Sequence, residues 1–148
     1  MSRALERTLV VRCSVTHAFD VFSRRIDAWW PTGHRRFDGS TLRLEPRAGG
    51  RFVERSPSGE EAELGAVVRW EPPGRLTYTW FPGAISGPTL VDVRFVEDGD
   101  ATRVEVTHHE GEAGLGEHWA SRAAMFERGW GAVLPAFARF LEETKDGT

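Results

Sequence analysis

The sequence predicts an α+β fold, in which a curved antiparallel sheet of about six to seven strands packs against one long C-terminal helix. Three observations carry this prediction. The stretch from Trp119 to Glu143 has apolar residues at alternating steps of four and three, the spacing of one helical face. Nearly everything before it alternates in short segments between Gly, Pro and Asp turns. One or two short helices are expected after the first strand.

The C-terminal stretch has an aromatic-rich face and a charged face. The apolar face comprises Trp119, Ala123, Phe126, Trp130, Val133, Phe137 and Phe140. Arg and Glu side chains occupy the opposite face. Pro135 removes one helical hydrogen bond, so we expect a kink there. The aromatic side is therefore expected to lie across the sheet.

The N-terminal part predicts one strand and a short helix. Alternating residues from Leu5 to Val15 indicate a half-buried strand. Ser14 or Thr16 can cap the following helix. Its apolar positions are Phe19, Phe22 and Ile26. The helix is expected to end at Trp30, because Pro31 disfavours helical geometry in the residue before it.

The middle of the chain predicts short strands joined by tight turns at 49–50, 56–59, 72–74 and 98–100. The alternating inner positions are Leu42, Leu44, Phe52, Leu64, Ala66, Val68, Trp70, Leu76, Tyr78, Trp80, Val91, Val93, Phe95, Val104, Val106 and His108. The segment 81–88 is expected to form a loop, and 110–117 a link to the last helix. Gly65 inside a strand is expected to mark a bend. Such a sheet leaves one face in solvent and buries the other under the helix.

Length and composition predict one soluble globular domain, 1–148, with 40% apolar and 28% charged residues. The net charge of −3 argues against a nucleic-acid partner held by phosphate contacts. The single cysteine, Cys13, excludes an internal disulfide. The sequence shows no signal-peptide region and no apolar run near the roughly 20 residues of a membrane span. We therefore expect a cytoplasmic protein that does not insert into a membrane.

Several segments match the pattern of a known family. They are Val15–Phe22, Trp29-Trp30, Arg47–Phe52, Gly65–Trp80, Thr102–His108 and Gly129-Trp130. Together they resemble the START-like, helix-grip superfamily (SRPBCC), and within it the family related to the C-terminal domain of the activator of the heat-shock-protein-90 ATPase. The resemblance implies a helix-grip fold with a cavity between the sheet and the long helix. It also implies binding of lipids or other apolar molecules, or, in some members, catalysis of cyclisation or hydrolysis.

The candidate ligand-binding residues are mostly aromatic, since small-molecule pockets need apolar walls with few polar groups. They are Trp30, Phe52, Glu54, Tyr78, Trp80, His108, Trp119, Phe126 and Trp130. The alternative is that these rings simply fill the core. We expect a pocket of about 300–1,000 Å³, with His108 as a polar anchor. Its boundary is expected to comprise Trp30, Phe52, Trp80, Phe126 and Trp130.

Two of the candidates, Glu54 and His108, are polar groups that share strand parity with apolar neighbours. Leaving such a group without a partner costs roughly 1–3 kcal/mol. They can orient a substrate or act as acid and base. The favoured alternative is a hydrogen bond at the rim of the sheet. Within the resemblance, strand parity favours His108 as the matching histidine, whereas the following Glu110-Gly111 favours His109.

The sequence assigns no metal, no cofactor and no catalytic residue. Successive strand residues point to opposite faces, so His108 and His109 cannot easily share one metal. Gly49-Gly50 indicates a hairpin turn, because no Lys-Ser/Thr follows to make a phosphate loop. Cys13 is interpreted as a buried thiol, since no His or Asp neighbour is implied to activate it.

Three classes of function remain. The first is a binding protein for a small hydrophobic molecule, lipid-like or aromatic, in the cavity. The second is a cyclase- or hydrolase-type enzyme using the same cavity; it ranks lower because the sequence shows no triad, metal motif or nucleotide fingerprint. The third is a chaperone-ATPase regulator acting through protein–protein contact, which only the family resemblance suggests. The sequence is also compatible with a homodimer.

Overall fold

Seven strands and one long helix dominate the structure. The computed structural model describes residues 4–80, 89–109 and 119–144, and within the last range it describes the side chains of 123–143. The elements in chain order are β1 (Leu5–Val11), α1 (Val15–Ser23), α2 (Ile26–Trp29), a 3₁₀ turn (Thr32–His34), β2 (Thr41–Leu44), β3 (Arg51–Arg55), β4 (Glu61–Glu71), β5 (Arg75–Trp80), β6 (Thr89–Asp98), β7 (Ala101–His109) and α3 (Trp119–Thr144). The segments 81–88 and 110–117, predicted as a loop and a link, lie outside the described residues.

The strands form one curved sheet in the order β1-β7-β6-β5-β4-β3-β2. Every neighbouring pair is antiparallel. Strands β2 to β7 follow one another in sequence order, and β1 pairs with the far edge at β7. This architecture confirms the predicted α+β helix-grip fold, with two short helices after the first strand.

The first strand ends at Val11, whereas its alternating pattern predicts a strand that continues to Val15. The helix that follows determines this end, because the Ser14 hydroxyl accepts a hydrogen bond from the His17 N–H at 3.1 Å and caps α1. Cys13 lies between the two elements and is half-buried. Helix capping therefore overrides an alternation that continues for several more residues.

Strand β4 departs from simple alternation. Val68, predicted to face inward, is 54% exposed. The pairing with β5 shifts between Val67 and Arg69, so Val68 is an extra residue that turns outward. A Cβ atom on Gly65 would collide with the carbonyl oxygen of Thr79 on β5. Gly65 is thus required by the close approach of the two strands.

Helix α3 covers the inner face with Phe126, Trp130, Val133 and Phe137 from the predicted face, whereas Phe140 is half-buried. Its buried residues are Phe126, Trp130, Val133, Leu134, Phe137 and Leu141. Beyond Pro135, the ring of Phe137 packs 5.3 Å from Phe22 and 5.1 Å from Trp29. The helix continues through Pro135, and the kink there stays a prediction. The second half of α3 therefore closes the core against α1 and α2, while the first half lies over β7.

The described helices are either short, as α1 and α2 are, or amphipathic, as α3 is. Helix α3 alternates buried aromatic residues with exposed Glu and Arg side chains. None of the helices in the described ranges has the length and the apolar run needed to span a membrane.

Candidate ligand-binding cavity

A cavity of about 350 Å³ lies between the sheet and the first half of α3. Its volume is at the low end of the roughly 300–1,000 Å³ typical of small-molecule sites. Aromatic rings form most of its wall. The lining residues are Trp30, His34, Tyr78, Trp80, His108, Met125, Phe126, Arg128, Gly129, Trp130 and Val133.

The sheet side of the cavity is built on one row of paired residues. Tyr78 on β5 pairs with Val91 on β6, which pairs with His108 on β7. Neighbouring strands lie about 4.8 Å apart, so Tyr78 and His108 lie roughly 10 Å from each other on the same inner face. Each has 1% of its surface exposed. Together they form the buried floor of the cavity.

Helix α3 supplies the opposite wall. The ring of Phe126 stacks on His108, with centroids 4.3 Å apart and planes 28° from parallel. Trp130, one helical turn further, meets the same imidazole edge-on at 6.2 Å. Residues four apart share one helical face, which brings both rings over β7.

A pair of tryptophans bounds the cavity on the side of β3. The rings of Trp30 and Trp80 lie 5.9 Å apart. Phe52 packs behind them, 6.1 Å from Trp30 and 5.6 Å from Trp80, and is completely buried. Phe52 therefore supports this wall and is not among the lining residues, although its strand parity placed it there in the sequence-based prediction.

A chain of hydrogen bonds holds His108. The Trp130 indole N–H donates to Nδ1 of His108 at 3.1 Å. Indole can only donate, so Nδ1 is unprotonated and Nε2 carries the proton of the neutral ring. Nε2 lies 2.8 Å from the Thr89 hydroxyl, which in turn donates to the Trp80 carbonyl at 2.9 Å. The chain links α3, β7, β6 and β5.

Electrostatics keep this imidazole neutral. Burial lowers the pKa of His108 to about 3, with a further contribution from the neighbouring His109. The neutral state is also what the hydrogen bond from Trp130 needs, because a protonated Nδ1 cannot accept. With both ring nitrogens engaged, His108 is not placed to act as a general base in this arrangement.

Glu54 lies away from the cavity and has a structural role. Its side chain is buried, and Oε2 accepts hydrogen bonds from the Phe37 N–H at 2.8 Å and the Ser40 hydroxyl at 2.7 Å. The carboxylate therefore fixes the loop before β2. The structure thus shows Glu54 satisfied by hydrogen bonds within the protein, which is the alternative that the sequence analysis favoured over a role in the cavity.

Arg35 holds the Trp30 side of the cavity, and the sequence did not single it out for this. One guanidinium nitrogen donates to the Asp27 carboxylate and the Ser40 carbonyl, both at 2.7 Å. The other donates to the carbonyls of Asp27 at 2.7 Å and Trp30 at 2.9 Å. The planar fork of arginine suits these four acceptors. Arg35 thus positions the backbone that carries Trp30.

The cavity brings together part of the predicted set. The candidates that line it are Trp30, Tyr78, Trp80, His108, Phe126 and Trp130. Phe52 and Glu54 lie outside it, and the side chain of Trp119 lies outside the described part of the chain. The lining residues that sequence reasoning missed are His34, Met125, Arg128, Gly129 and Val133. Gly129 and Val133 lie on the same helical stripe as Phe126 and Trp130, so their spacing contained a signal. Met125 and Arg128 lie outside that stripe, and the loop residue His34 had no periodic signal.

The described lining contains no carboxylate and no thiol. Across the described ranges, no three His, Cys, Asp or Glu side chains come together in a group that could hold a metal ion. The exposed Met125, His34 and Arg128 lie where the cavity opens to solvent. The site therefore offers a buried aromatic interior with cationic or titratable groups at its mouth.

The curved sheet, the long helix and the cavity between them define a protein of the helix-grip (SRPBCC) class. Within it, the chain belongs to the family described as Activator of Hsp90 ATPase homolog 1-like protein, whose sequence model matches residues 12–142. Members of this fold family bind hydrophobic ligands or act as polyketide cyclases. The resemblance inferred from the sequence is confirmed.

Solved structures support the same fold. Protein NE0264 from Nitrosomonas europaea is 16% identical with a TM-score of 0.69, over 97% of this chain and 96% of that one. CalU16 from Micromonospora echinospora is 20% identical with a TM-score of 0.62, over 93% and 73%. At these identities the likeness shows the fold alone.

A third structure is more similar in sequence. Txn09, an anthrahydroquino-gamma-pyrone synthase, is 32% identical over 79% of this chain and 85% of its own, with a TM-score of 0.54. The comparison with curated proteins gives no match.

Proposed function

We propose that this protein binds a small planar aromatic molecule in the cavity between the sheet and α3. The observation that carries the proposal is the cavity itself, about 350 Å³ in volume and walled mainly by aromatic rings. Ring ligands gain offset-stacked and edge-on contacts with such walls in addition to burial. Membership of a family with hydrophobic-ligand binders supports it.

The shape of the site favours a compact ring system over a long acyl chain. The core behind the cavity is closed, because Phe52 fills the space behind Trp30 and Trp80. Phe137 fills the space toward α1 and α2. The space open to a ligand is therefore the small cavity bounded by these rings, where indole and phenyl groups line the wall. The 32% identity to Txn09, whose name specifies a fused-ring product, supports the aromatic class.

Binding is tested by isothermal titration calorimetry with naphthalene, chromone and, as an acyl-chain comparison, oleate. Two glycines of α3 give a matched pair of variants, because an added Cβ meets nothing within 4 Å at either Gly129 or Gly131. Gly129 lines the cavity and Gly131 does not. We expect saturable binding of the ring probes, loss of binding in Gly129→Leu and retention in Gly131→Leu.

Two results would contradict the proposal. One is that neither ring probe binds the wild-type protein. The other is that Gly129→Leu binds them as well as Gly131→Leu does, which would put the ligand outside this cavity.

A second candidate function is enzymatic, and the similarity to a synthase favours it. The cavity would act by holding a flexible precursor in a reactive fold and excluding water. A suitable assay is the cyclisation of 2-hydroxydibenzoylmethane, in which the phenol oxygen attacks the distal ketone and water leaves to give flavone. Faster flavone formation by the wild type and by Gly131→Leu, but not by Gly129→Leu, would make the enzyme the better description.

A further inference from the structure

Tyr78 is a buried polar residue in the cavity wall whose hydroxyl has no hydrogen-bond partner in the described part of the chain. Its side chain lines the cavity and only 1% of the residue surface is exposed. None of the described residues forms a hydrogen bond with its hydroxyl. The hydroxyl is nevertheless not sealed inside packed protein, because it keeps some surface open to the cavity. A buried hydroxyl left unpaired costs free energy, so its retention in this wall needs a reason.

The polar atoms of the other buried lining side chains are already engaged, whereas the half-buried Trp80 has no acceptor for its indole N–H among the described residues. The Trp30 indole N–H donates to the His34 carbonyl at 3.1 Å. The Trp130 indole N–H donates to His108, and the second nitrogen of that ring lies 2.8 Å from a threonine hydroxyl. Of the fully buried lining residues described, Tyr78 is the one whose hydrogen-bonding group is left for a ligand.

The chemistry of this group favours an acceptor on the ligand. Burial raises the pKa of Tyr78 above its usual value, so the side chain keeps its proton and can donate it in a hydrogen bond. A carbonyl group entering an apolar cavity needs such a donor, because it loses its hydrogen bonds to water. The described lining holds no carboxylate that would favour a cationic ligand.

Building on the proposed function, we propose that the Tyr78 hydroxyl donates a hydrogen bond to a carbonyl oxygen of the ligand. The cavity therefore selects ring ligands that carry a ketone, pyrone or quinone oxygen over hydrocarbon rings of the same size. Because Tyr78 lies on the buried row with Val91 and His108, the ligand enters with its carbonyl end first. The opposite end faces the mouth near Arg128.

The test uses Tyr78→Phe and two fused bicyclic probes, chromone, which carries a ring carbonyl, and naphthalene, which does not. By calorimetry, the wild type should bind chromone more tightly than naphthalene. Tyr78→Phe should weaken chromone binding by about 5- to 10-fold and change naphthalene binding by less than about twofold. The melting temperature of the ligand-free variant should be unchanged or higher, since the substitution removes an unpaired hydroxyl.

A spectroscopic measurement separates a direct bond from a packing effect. The infrared carbonyl stretch of ¹³C-labelled chromone should lie lower when bound to the wild type than when bound to Tyr78→Phe. Equal losses of affinity for both probes, equal carbonyl frequencies, or a wild type with no preference for chromone would overturn this inference while leaving ring binding in place. Absence of binding by both probes would overturn the proposed function and the inference together.

Discussion

Trp130 on α3 donates its indole N–H to Nδ1 of His108 on β7 across 3.1 Å, and both side chains are buried. This bond joins the long helix to the sheet with a fixed direction, since indole is a donor only. The stack of Phe126 on the same imidazole gives apolar contact but no such direction. Within the described aromatic wall, this hydrogen bond is therefore the directional contact that fixes the helix over the cavity.

The first prediction concerns this bond. Trp130→Phe keeps an aromatic ring but leaves Nδ1 of His108 without its donor, so the free energy of unfolding should fall by about 1–3 kcal/mol. Urea unfolding followed by circular dichroism measures the change. Trp80→Phe is the matched control, because no described residue accepts a hydrogen bond from the Trp80 indole. A loss at Trp80 equal to that at Trp130 would contradict the assigned role.

The second prediction is a dependence of stability on pH. The pKa of His108 is lowered to about 3 in the folded protein from 6.5 in the unfolded chain. Between these values the unfolded state binds more protons, so stability is greatest above about pH 6.5 and falls as the pH drops toward 3. The slope from this residue is roughly 1.4 kcal/mol per pH unit within that window.

Urea unfolding of the wild type and His108→Leu at pH 7, 6, 5 and 4 checks the second prediction. The variant should be less stable at pH 7, since the Trp130 N–H loses its acceptor, but its stability should depend less on pH. Parallel pH curves for the two proteins would show that His108 titrates normally and is not the source of the dependence.

The third prediction concerns the contact between β4 and β5. Gly65→Ala places a methyl group against the carbonyl of Thr79, and a strand backbone cannot easily move away. We expect a loss of about 3 kcal/mol or more, at the upper end of the overpacking range. Gly131→Ala in α3 meets no neighbour and should stabilise the protein by roughly 0.5–1 kcal/mol. Similar thermal unfolding of the two variants would refute the assignment.

The fourth prediction concerns Arg35. Lysine has one ammonium group in place of the planar fork, so Arg35→Lys cannot reach all the acceptors on Asp27, Ser40 and Trp30, and should cost about 2–4 kcal/mol. It should also weaken the binding of ring probes, because Trp30 loses its support. Arg12→Lys, at an exposed position, should leave both quantities unchanged. Binding that survives in Arg35→Lys would show that Trp30 holds its place without this contact.

Periodicity was sufficient to predict the main architecture. The three-four spacing identified α3 and its buried face, and alternation identified the strands on either side of each turn. It failed where a second local effect competes with it. Ser14 ends the first strand by capping a helix, and the irregular pairing around Val68 reverses the parity of β4. Neither event changes the hydrophobic pattern that a single sequence displays.

The site was predictable only in part, for a different reason. The alternation along a strand predicts which aromatic rings point toward the core. It does not predict which of those rings contacts the cavity and which packs behind another ring. Phe52 and Trp80 share the inner face, yet Phe52 lies behind the wall that Trp80 forms. The partners of Glu54 come from a loop with no periodic signal, at Phe37 and Ser40. These relations depend on how separate elements stack, which spacing along one element does not contain.

The hydrogen-bond chain from Trp130 through His108 and Thr89 to Trp80 has a consequence for proton movement. A proton relay needs a group at one end that can take up a proton and a group at the other that can release one. Along the direction of these bonds, the indole N–H at the first end would have to release its proton, for which it is too weak an acid, and the backbone carbonyl at the last end would have to take one up, for which it is too weak a base. The chain joins four elements of the fold, yet it cannot conduct a proton across the cavity wall.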